Sequence, residues 1–359
     1  MLTDTMTIDF DQLQRNILKI KAIDLFCGAG GLTHGLKTAG INVVAGYDIE
    51  ESCRFAFEHN NDSSFINKDI TSLSGEEVTK LFDDADVTIL AGCAPCQPFS
   101  TYGRTKNKQK DDKWSLLYSF SRIIDECRPD IVTMENVPGL MAQNIFRDFL
   151  QNLEKHGYFV EYKIVFCPDY GLPQTRKRLV LLASKLGPIF LKEPSHQKGN
   201  YVSVKDAIAK LPKLEAGKSD SKDSLHRCSS LSPLNLERIK ASKPGGDWHD
   251  WPIELRATCH LKDSGKFFRS VYGRMSWDEP SPTITTQCYG FGNGRFGHPE
   301  QNRAISLREA ALLQTFPKDY HFFKKGETLD IASLAKMIGN AVPVKLGEVI
   351  GMSIVKHLQ

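Results

Sequence analysis

A cysteine in a proline-containing segment is the first residue whose type and setting could do chemistry. Cys96 lies in the sequence GCAPCQPFS, residues 92–100, shortly after a predicted strand. A thiolate is a strong nucleophile, so a cysteine placed there could attack an electrophilic carbon. Cys93 and Cys96 could instead form a redox pair or a metal site, or Cys96 could be an inert buried thiol. A structural metal site needs a second ligand pair at matching spacing, which the sequence lacks, so we expect no metal.

One carboxylate and two arginines lie beside other predicted strands. Glu135 ends a strand in the sequence ENV, and Arg176 and Arg178 belong to QTRKR, residues 174–178, which leads into a later strand. In doubly wound sheets, substrates bind outside the carboxyl ends of the parallel strands. We therefore expect Glu135, Arg176 and Arg178 to converge on the same edge as Cys96.

A glycine-rich turn predicts a nucleoside-like ligand. The sequence DLFCGAGGL, residues 24–32, places a strand, a turn and a helix in succession, and glycines let a ligand approach the backbone closely. Asp48 ends the next strand, where a carboxylate can accept hydrogen bonds from ribose hydroxyls, and Asp69 with Ile70 could address an adenine ring. A dinucleotide-dependent oxidoreductase is the competing interpretation, although Thr33 replaces the third glycine of its usual fingerprint.

The elements that must position these residues alternate between strands and helices. Their order predicts an α/β fold with a doubly wound, mostly parallel sheet. The predicted strands are 20–26, 42–48, 86–91, 130–135, 159–166 and 178–183, with one more of unassigned bounds before residue 69, and the predicted helices are 32–39, 51–59, 115–127 and 145–156.

The alternation stops after about residue 184, which predicts a second unit. The following stretch is rich in Lys, Ser, Pro and Gly, and a helical pattern returns in SLREAALLQTF. We therefore predict a catalytic and cofactor-binding domain over residues 1–185, a smaller irregular domain over 186–302, and a return segment over 303–359 that completes the first domain.

Charge distribution favours a polyanionic partner. The formal net charge is +3, but residues 185–303 contain 19 Lys and Arg against 13 Asp and Glu. A locally basic segment suits nucleic acid, although a solvated surface could have the same excess. The sequence has no 18-residue apolar run and its nine cysteines form no disulfide framework, so we expect a cytoplasmic protein with reduced thiols and no membrane contact.

The motifs, taken in order, resemble those of the DNA cytosine-5 methyltransferase family, of the prokaryotic restriction-modification type. Two more segments near the C-terminus agree with this resemblance, and only the region from about 185 to 300 matches no motif, as expected for a variable target-recognition domain. The similar segments are DLFCGAGGL (cofactor), PCQPFS (catalytic), ENV (base-binding), QTRKR (second substrate motif), RAISLREAALLQTFP at 303–317 (ninth motif) and GNAVP at 339–343 (tenth motif).

The resemblance implies a methyl transfer from S-adenosyl-L-methionine to C5 of a cytosine flipped out of double-stranded DNA. It implies that Cys96 adds to C6, that Glu135 contacts N3 and the exocyclic amine, and that Arg178 holds O2, with Arg176 supplying positive charge. It also implies that a loop at 97–113 closes over the base. The implied cofactor-binding residues are Phe26, Gly28, Ala29, Gly30, Gly31, Asp48, Asp69, Ile70, Pro95, Leu117, Asn340 and Ala341; the candidate substrate-binding residues are Gln97, Ser100, Asn136, Arg274 and Arg295, with Gln287 also considered.

Three other functions compete with this interpretation. A transfer-RNA cytosine-5 methyltransferase has the same catalytic motifs, but its Cys-Phe-Thr signature is replaced here by Gln287-Cys288-Tyr289. A non-catalytic DNA-binding relative would not need Cys96, Glu135 and Arg178, and a nucleotide-dependent oxidoreductase would bind NAD instead. We expect a monomer in a prokaryotic cytoplasm, with a cognate restriction endonuclease, if one exists, acting independently.

Overall fold

A seven-stranded sheet forms the centre of the protein. The structure is a computed structural model, and it describes residues 18–95, 115–265, 269–327 and 330–359. The strand order is β3-β2-β1-β4-β5-β7-β6, in which β7 runs antiparallel to both of its neighbours and the pairings among β1 to β5 are parallel. The strands are β1 Ile20–Leu25, β2 Asn42–Asp48, β3 Ser64–Asn67, β4 Val87–Gly92, β5 Ile131–Asn136, β6 Phe159–Phe166 and β7 Lys177–Ser184.

Ten α-helices are assigned in the described residues. The predicted helix at 115–127 has the same bounds in the structure, and the other predicted helices and strands begin and end within a few residues of their predicted limits. The sequence pattern did not identify the helices at 75–81, 204–208, 233–241 and 331–340. The helices are α1 Gly31–Thr38, α2 Arg54–Asn61, α3 Gly75–Leu81, α4 Ser115–Cys127, α5 Asn144–Lys155, α6 Val204–Ile208, α7 Pro233–Ala241, α8 Leu307–Leu313, α9 Ile331–Asn340 and α10 Val344–His357.

Helices cover both faces of the sheet, which confirms the predicted doubly wound α/β fold. Helices α3, α4 and α5 pack on one face through residues such as Phe120 and Phe149. Helices α1 and α10 pack on the other face through residues such as Leu36 and Ile350. The backbones of α1 and α10 are so close that a Cβ built on Gly35 would lie 2.4 Å from the carbonyl oxygen of Val344. The last helix therefore returns to the first domain, as the sequence predicted.

The region after β7 is irregular but shares a hydrophobic core with the rest of the chain. Val204, Ile284 and Phe296 pack in one cluster with residues of α8, α9 and the glycine-rich turn. A smaller cluster around Trp248 and Trp251 fills the outer part of this region. The shared core fixes this irregular region, which the sequence predicts to be the target-recognition domain, against the rest of the protein.

The predicted boundary at 185/186 differs from the packing of the chain. Ile189 and Leu191 lie in the same buried cluster as α10, and the backbone N–H of Lys192 donates to Ser353 Oγ at 2.9 Å. Residues 186–192 therefore pack with the first domain. The change in composition after residue 184 marks the end of regular strands rather than the end of the sheet's core.

One segment is long and apolar enough to be compared with a membrane span. An 18-residue window within residues 331–357 has a mean hydropathy of 1.3, but 67% of that window is buried inside the protein. Pro343 separates this segment into α9 and α10, and α10 packs against α1. Its apolar character is explained by its position in the core.

Candidate active site

The ends of β4, β5 and β7 bring the predicted catalytic motifs to one edge of the sheet. Glu135 and Asn136 are the last residues of β5, and Arg178 lies near the start of β7. Because β7 is antiparallel to β5, its first residues lie at the carboxyl edge of the parallel strands. Cys93 and Ala94 follow β4 at the same edge, so the structure brings together Glu135, Asn136 and Arg178 as the sequence predicted.

Glu135 is the central side chain of this edge. It is 2% exposed, and both of its carboxylate oxygens have close neighbours. Oε1 lies 2.7 Å from Arg178 Nε in an ion pair whose geometry is not that of a hydrogen bond, and Oε2 accepts a hydrogen bond from Cys93 Sγ at 3.0 Å. A buried carboxylate with a cationic partner beside it can bind hydrogen-bond donors of a ligand at this edge.

Arg176 is a second buried cation beside this pair. It is 4% exposed, its Nη1 donates to the carbonyl oxygen of Ile284 at 3.1 Å, and its Nε has no hydrogen-bond partner among the described residues. Burial lowers the pKa of Arg176 to about 10, and the neighbouring charge of Arg178 acts in the same direction. The guanidinium is still charged at neutral pH, so it adds positive potential at this edge.

The side-chain amide of Asn136 makes hydrogen bonds within the protein and positions a neighbouring segment. Its Nδ2 donates to the carbonyl oxygen of Ala94 at 3.0 Å, and its Oδ1 accepts from the backbone N–H of Val137 at 2.8 Å. These contacts do not favour the predicted direct binding of substrate by Asn136. The amide instead holds the segment that leads from β4 to Cys96.

Three residues of the predicted catalytic motif, Cys96, Gln97 and Ser100, lie outside the described residues, as does the whole of the predicted loop at 97–113. Pro95 is the last described residue before that gap and is exposed. The structure therefore describes the chain only up to the residue before Cys96, and the roles of Cys96, Gln97 and Ser100 stay predictions. Among the described residues, no cluster of three His, Cys, Asp or Glu side chains could hold a metal ion.

The glycine-rich turn forms a second site beside the first. Phe26, Gly28 and Gly30 all have positive φ values, so the chain turns sharply between β1 and α1. The backbone N–H of Gly28 donates to Asp48 Oδ2 at 2.8 Å. A Cβ built on Gly28 would meet nothing within 4 Å, which means that the turn borders open space on this side. The turn and the end of β2 thus form one cradle.

The segment at 339–343, the predicted tenth motif, packs against the glycine-rich turn. A Cβ on Gly31 would lie 2.3 Å from the carbonyl oxygen of Val342 and 3.3 Å from the Cβ of Ala341. Asn340 ends α9 next to this contact and is exposed. Ala29, between the glycines, is buried. The structure therefore brings the predicted cofactor residues of the first and last motifs together.

The remaining predicted cofactor residues lie on the neighbouring elements. Asp69 caps the short helix that starts at Ile70 by accepting from the backbone N–H of Thr71 at 2.9 Å. Ile70 and Leu117 are buried in one cluster of the core. Sequence reasoning missed Ile49, a 64% exposed apolar residue directly after Asp48. An apolar residue next to the strand-end carboxylate was the available signal, because ligand-binding sites are lined mainly by apolar side chains.

The charges of the cradle fit S-adenosyl-L-methionine, which has an ammonium and a sulfonium group. Asp24 is buried, and its Oδ1 has no hydrogen-bond partner among the described residues, while Oδ2 accepts from Thr33 Oγ1 at 2.7 Å. Burial raises the pKa of Asp24 to about 7, with a smaller contribution from the negative charge of Asp48. A cationic ligand near these carboxylates would stabilise the ionised form of Asp24.

Replacing Asp48 tests the cradle directly. We expect Asp48→Ala to weaken S-adenosyl-L-methionine binding about tenfold or more, because it removes the acceptor for ribose hydroxyls and the support of the Gly28 amide. Isothermal titration calorimetry measures this affinity. Glu76→Ala, at an exposed position of helix α3, is the matched control and should bind the ligand as the wild type does. Unchanged affinity in Asp48→Ala would remove this residue from the cofactor site.

The expectation that Arg274 binds DNA is corrected by its surroundings. Its guanidinium is 4% exposed and donates to the carbonyl oxygens of Ile239, Ser242, His298 and Gln301 and to Asn302 Oδ1. All the N–H groups of the side chain are used, so it cannot read a base edge without unfolding its own domain. Arg274 joins separate loops of the target-recognition region.

The other two DNA candidates differ in exposure. Arg295 is half-buried and donates to the carbonyl oxygens of Gly245 and Gly246, so it too supports loop structure. Gln287 is exposed and keeps its place as a candidate for contact with DNA. A sequence pattern could not separate these side chains, because all three are polar residues in an irregular region.

Arg274→Ala should therefore destabilise the protein without changing the DNA sequence that it recognises. We expect the free energy of unfolding to fall by about 2–4 kcal/mol, because several buried carbonyl groups lose their donor. Denaturant unfolding measures this change, with Arg147→Ala on the exposed side of α5 as the control. A variant with unchanged stability and an altered methylation sequence would show that Arg274 reads DNA after all.

Comparisons with known proteins agree with this arrangement of residues. Residues 20–356 match the family described as C-5 cytosine-specific DNA methylase. The Type II methylase M.HgiDII of Herpetosiphon aurantiacus is 53% identical over 340 residues, which cover 94% of this chain and 95% of the relative. The Type II methyltransferase M1.HphI of Haemophilus parahaemolyticus is 33% identical over 345 residues, which cover 94% of this chain and 87% of the relative.

Solved structures show the same fold. A candidate DNA modification methyltransferase encoded within an E. coli prophage has a TM-score of 0.72 at 22% identity, with 94% of this chain and 99% of that chain covered. The match extends over both the sheet and the irregular region, and the family match covers nearly the whole sequence. The chain therefore belongs to the C-5 cytosine-specific DNA methylase family.

Proposed function

We propose that this DNA cytosine-5 methyltransferase works through a covalent bond between Cys96 and C6 of a cytosine that is flipped out of double-stranded DNA. S-adenosyl-L-methionine supplies the methyl group that C5 receives. The observation that carries the proposal is the buried Glu135–Arg178 pair at the edge of the sheet to which the chain returns just before Cys96. Cytosine C5 is a weak nucleophile, and addition of a thiolate to C6 makes C5 electron-rich.

Glu135 and Arg178 support the addition step. As the thiolate of Cys96 bonds to C6, electron density moves toward N3, and Glu135 in its protonated form donates a proton there. Arg178 holds the carboxylate and lies beside it, where it can also bind the O2 atom of the base. The charges of Arg176 and Arg178 favour the thiolate form of Cys96. Once C5 carries the methyl group, its proton passes to water and the N3 proton returns to Glu135, and elimination of the Cys96 thiolate restores the aromatic ring.

Base flipping requires a segment of the protein that stabilises the opened duplex. The target carbon is buried in stacked DNA, and extruding the base costs a few kcal/mol. The segment at 97–113 has five basic residues among glycine and polar residues, which suits phosphate contacts that position DNA without reading its sequence. We assign base closure to this loop, with Gln97 and Ser100 at its start, and sequence reading to the target-recognition region.

The proposed biological setting is based on the similarity to relatives that are named Type II enzymes. We propose that the protein acts as a monomer on DNA in a bacterial cytoplasm, because one enzyme can methylate each strand of a short site separately. A cognate restriction endonuclease would act on the same sequence independently. The basic excess over residues 185–303 supports contact with a long polyanion.

Sequencing of methylated DNA tests the proposed function. The purified protein is incubated with unmethylated genomic DNA and S-adenosyl-L-methionine, and 5-methylcytosine is mapped at base resolution. We expect methylation confined to one short sequence context. Methylation of transfer RNA without methylation of DNA would replace the proposal with the RNA alternative, and cofactor binding with neither product would overturn both.

A further inference from the structure

Cys93 is a buried thiol that the reaction as described does not use. It lies three residues before Cys96, and its Sγ donates a hydrogen bond to Glu135 Oε2 at 3.0 Å. On the other oxygen, Arg178 Nε lies 2.7 Å from Oε1. The two neighbours contact the carboxyl group from both sides, so they restrict its rotation about the last side-chain bond.

The hydrogen bond between Cys93 and Glu135 joins β4 and β5 just beyond the last pair of residues in their backbone ladder. The parallel register of β4 and β5 ends with Gly92 opposite Met134. The next two positions are joined by side chains instead, Cys93 to Glu135 and the carbonyl of Ala94 to Asn136 Nδ2. Residues 93–94, which lead to Cys96, are therefore hydrogen-bonded to residues 135–136 at two consecutive positions.

The thiol is held in the form that can donate. Burial raises the pKa of Cys93 well above its usual range, and the negative charge of Glu135 raises it further, while Arg178 and Arg176 act more weakly in the opposite direction. Cys93 therefore stays protonated near neutral pH. A neutral S–H group beside a carboxylate is a donor and not a second nucleophile.

We propose that Cys93 is a positioning residue for catalysis, whose S–H group fixes the carboxyl group of Glu135 in the orientation needed to donate a proton to the cytosine ring. The inference rests on the role proposed for Glu135. It differs from a packing role, in which any small side chain would serve. It also differs from a redox role, in which Cys93 would bond to Cys96.

Three variants separate these roles. Cys93→Ser keeps a donor at the same position, and Cys93→Ala removes it. We expect Cys93→Ala to lower kcat for DNA methylation about tenfold, as for loss of a hydrogen bond to a charged group, with KM for DNA and for S-adenosyl-L-methionine within about twofold of the wild type. Cys93→Ser should retain kcat within about threefold. Cys127→Ala, at the far end of α4, is the control for loss of a partly buried thiol and should retain full kcat.

The outcomes are distinct. Wild-type kcat in Cys93→Ala, or a kcat in Cys93→Ser as low as in Cys93→Ala, would overturn the donor role. If the wild type fails to methylate DNA in the same assay, the proposed function fails instead.

An infrared measurement tests the hydrogen bond without activity and without the alanine variant. The S–H stretching band of Cys93 is identified as the band lost in Cys93→Ser. We expect it to move to higher frequency in Glu135→Gln, because a neutral amide oxygen is a weaker acceptor than a carboxylate. A band that keeps its frequency in Glu135→Gln would show that the thiol does not donate to this side chain.

Discussion

Glu135→Gln is expected to lower kcat for DNA methylation by about a thousandfold, within the range for loss of a general acid. Glutamine has the same shape but cannot give up a proton to N3 as the thiolate adds to C6. It also leaves Arg178, whose side chain is 14% exposed, without the carboxylate that lies 2.7 Å from its Nε. Steady-state kinetics on a DNA fragment containing the mapped site measure kcat and KM separately.

Binding should survive this substitution. We expect the affinity of Glu135→Gln for DNA in a gel-shift assay to stay within a few-fold of the wild type, because the phosphate contacts that dominate affinity lie elsewhere. Glu161→Gln, on the edge strand β6, is the control and should have wild-type kcat. Activity of Glu135→Gln within a few-fold of the wild type would show that proton donation by this residue is not part of the reaction.

Cys96→Ala is expected to abolish methylation. Without the thiolate, C5 stays a poor nucleophile, and covalent activation is the step on which the proposed reaction depends. We expect at least a 10⁴-fold loss of kcat, which corresponds to about 5.5 kcal/mol of transition-state stabilisation. The amount of 5-methylcytosine formed over an extended incubation measures residual activity.

Two control measurements show whether the loss of methylation is specific to the thiol of Cys96. Binding of S-adenosyl-L-methionine should be unchanged in Cys96→Ala, because the cradle at Gly28 and Asp48 is formed by the turn after β1 and the end of β2. Cys259→Ala removes an exposed thiol of the target-recognition region and should leave methylation intact. Methylation by Cys96→Ala at a rate near that of the wild type would mean that another group activates the base.

The sequence predicted the catalytic edge well, because its residues stand at the ends of strands. Apolar runs identified β5 and β7, and the carboxyl-edge rule then placed Glu135 beside Arg178. The same reasoning placed Asp48 beside the glycine turn, where the structure shows a hydrogen bond to Gly28. These contacts are determined by the order and the direction of the strands.

Other contacts depend on tertiary packing that no local pattern encodes. Arg274 looks like a candidate for DNA contact in sequence, yet it is buried under carbonyl groups from four different residues. Cys93 looks like half of a metal or redox pair, yet it donates to Glu135 across the ends of two strands. Strand β3 has only four residues, too few for a periodic pattern to define its bounds.

Trapping of the covalent adduct tests the central claim most directly. DNA in which cytosine is replaced by 5-fluorocytosine is incubated with the enzyme and S-adenosyl-L-methionine, and the protein is digested and analysed by mass spectrometry. Fluorine cannot leave C5 as a proton does, so elimination of the thiolate is blocked. We expect a denaturation-resistant complex in which the peptide containing Cys96 carries the modified nucleotide. A preparation that methylates ordinary DNA but forms no adduct at Cys96 would contradict the account.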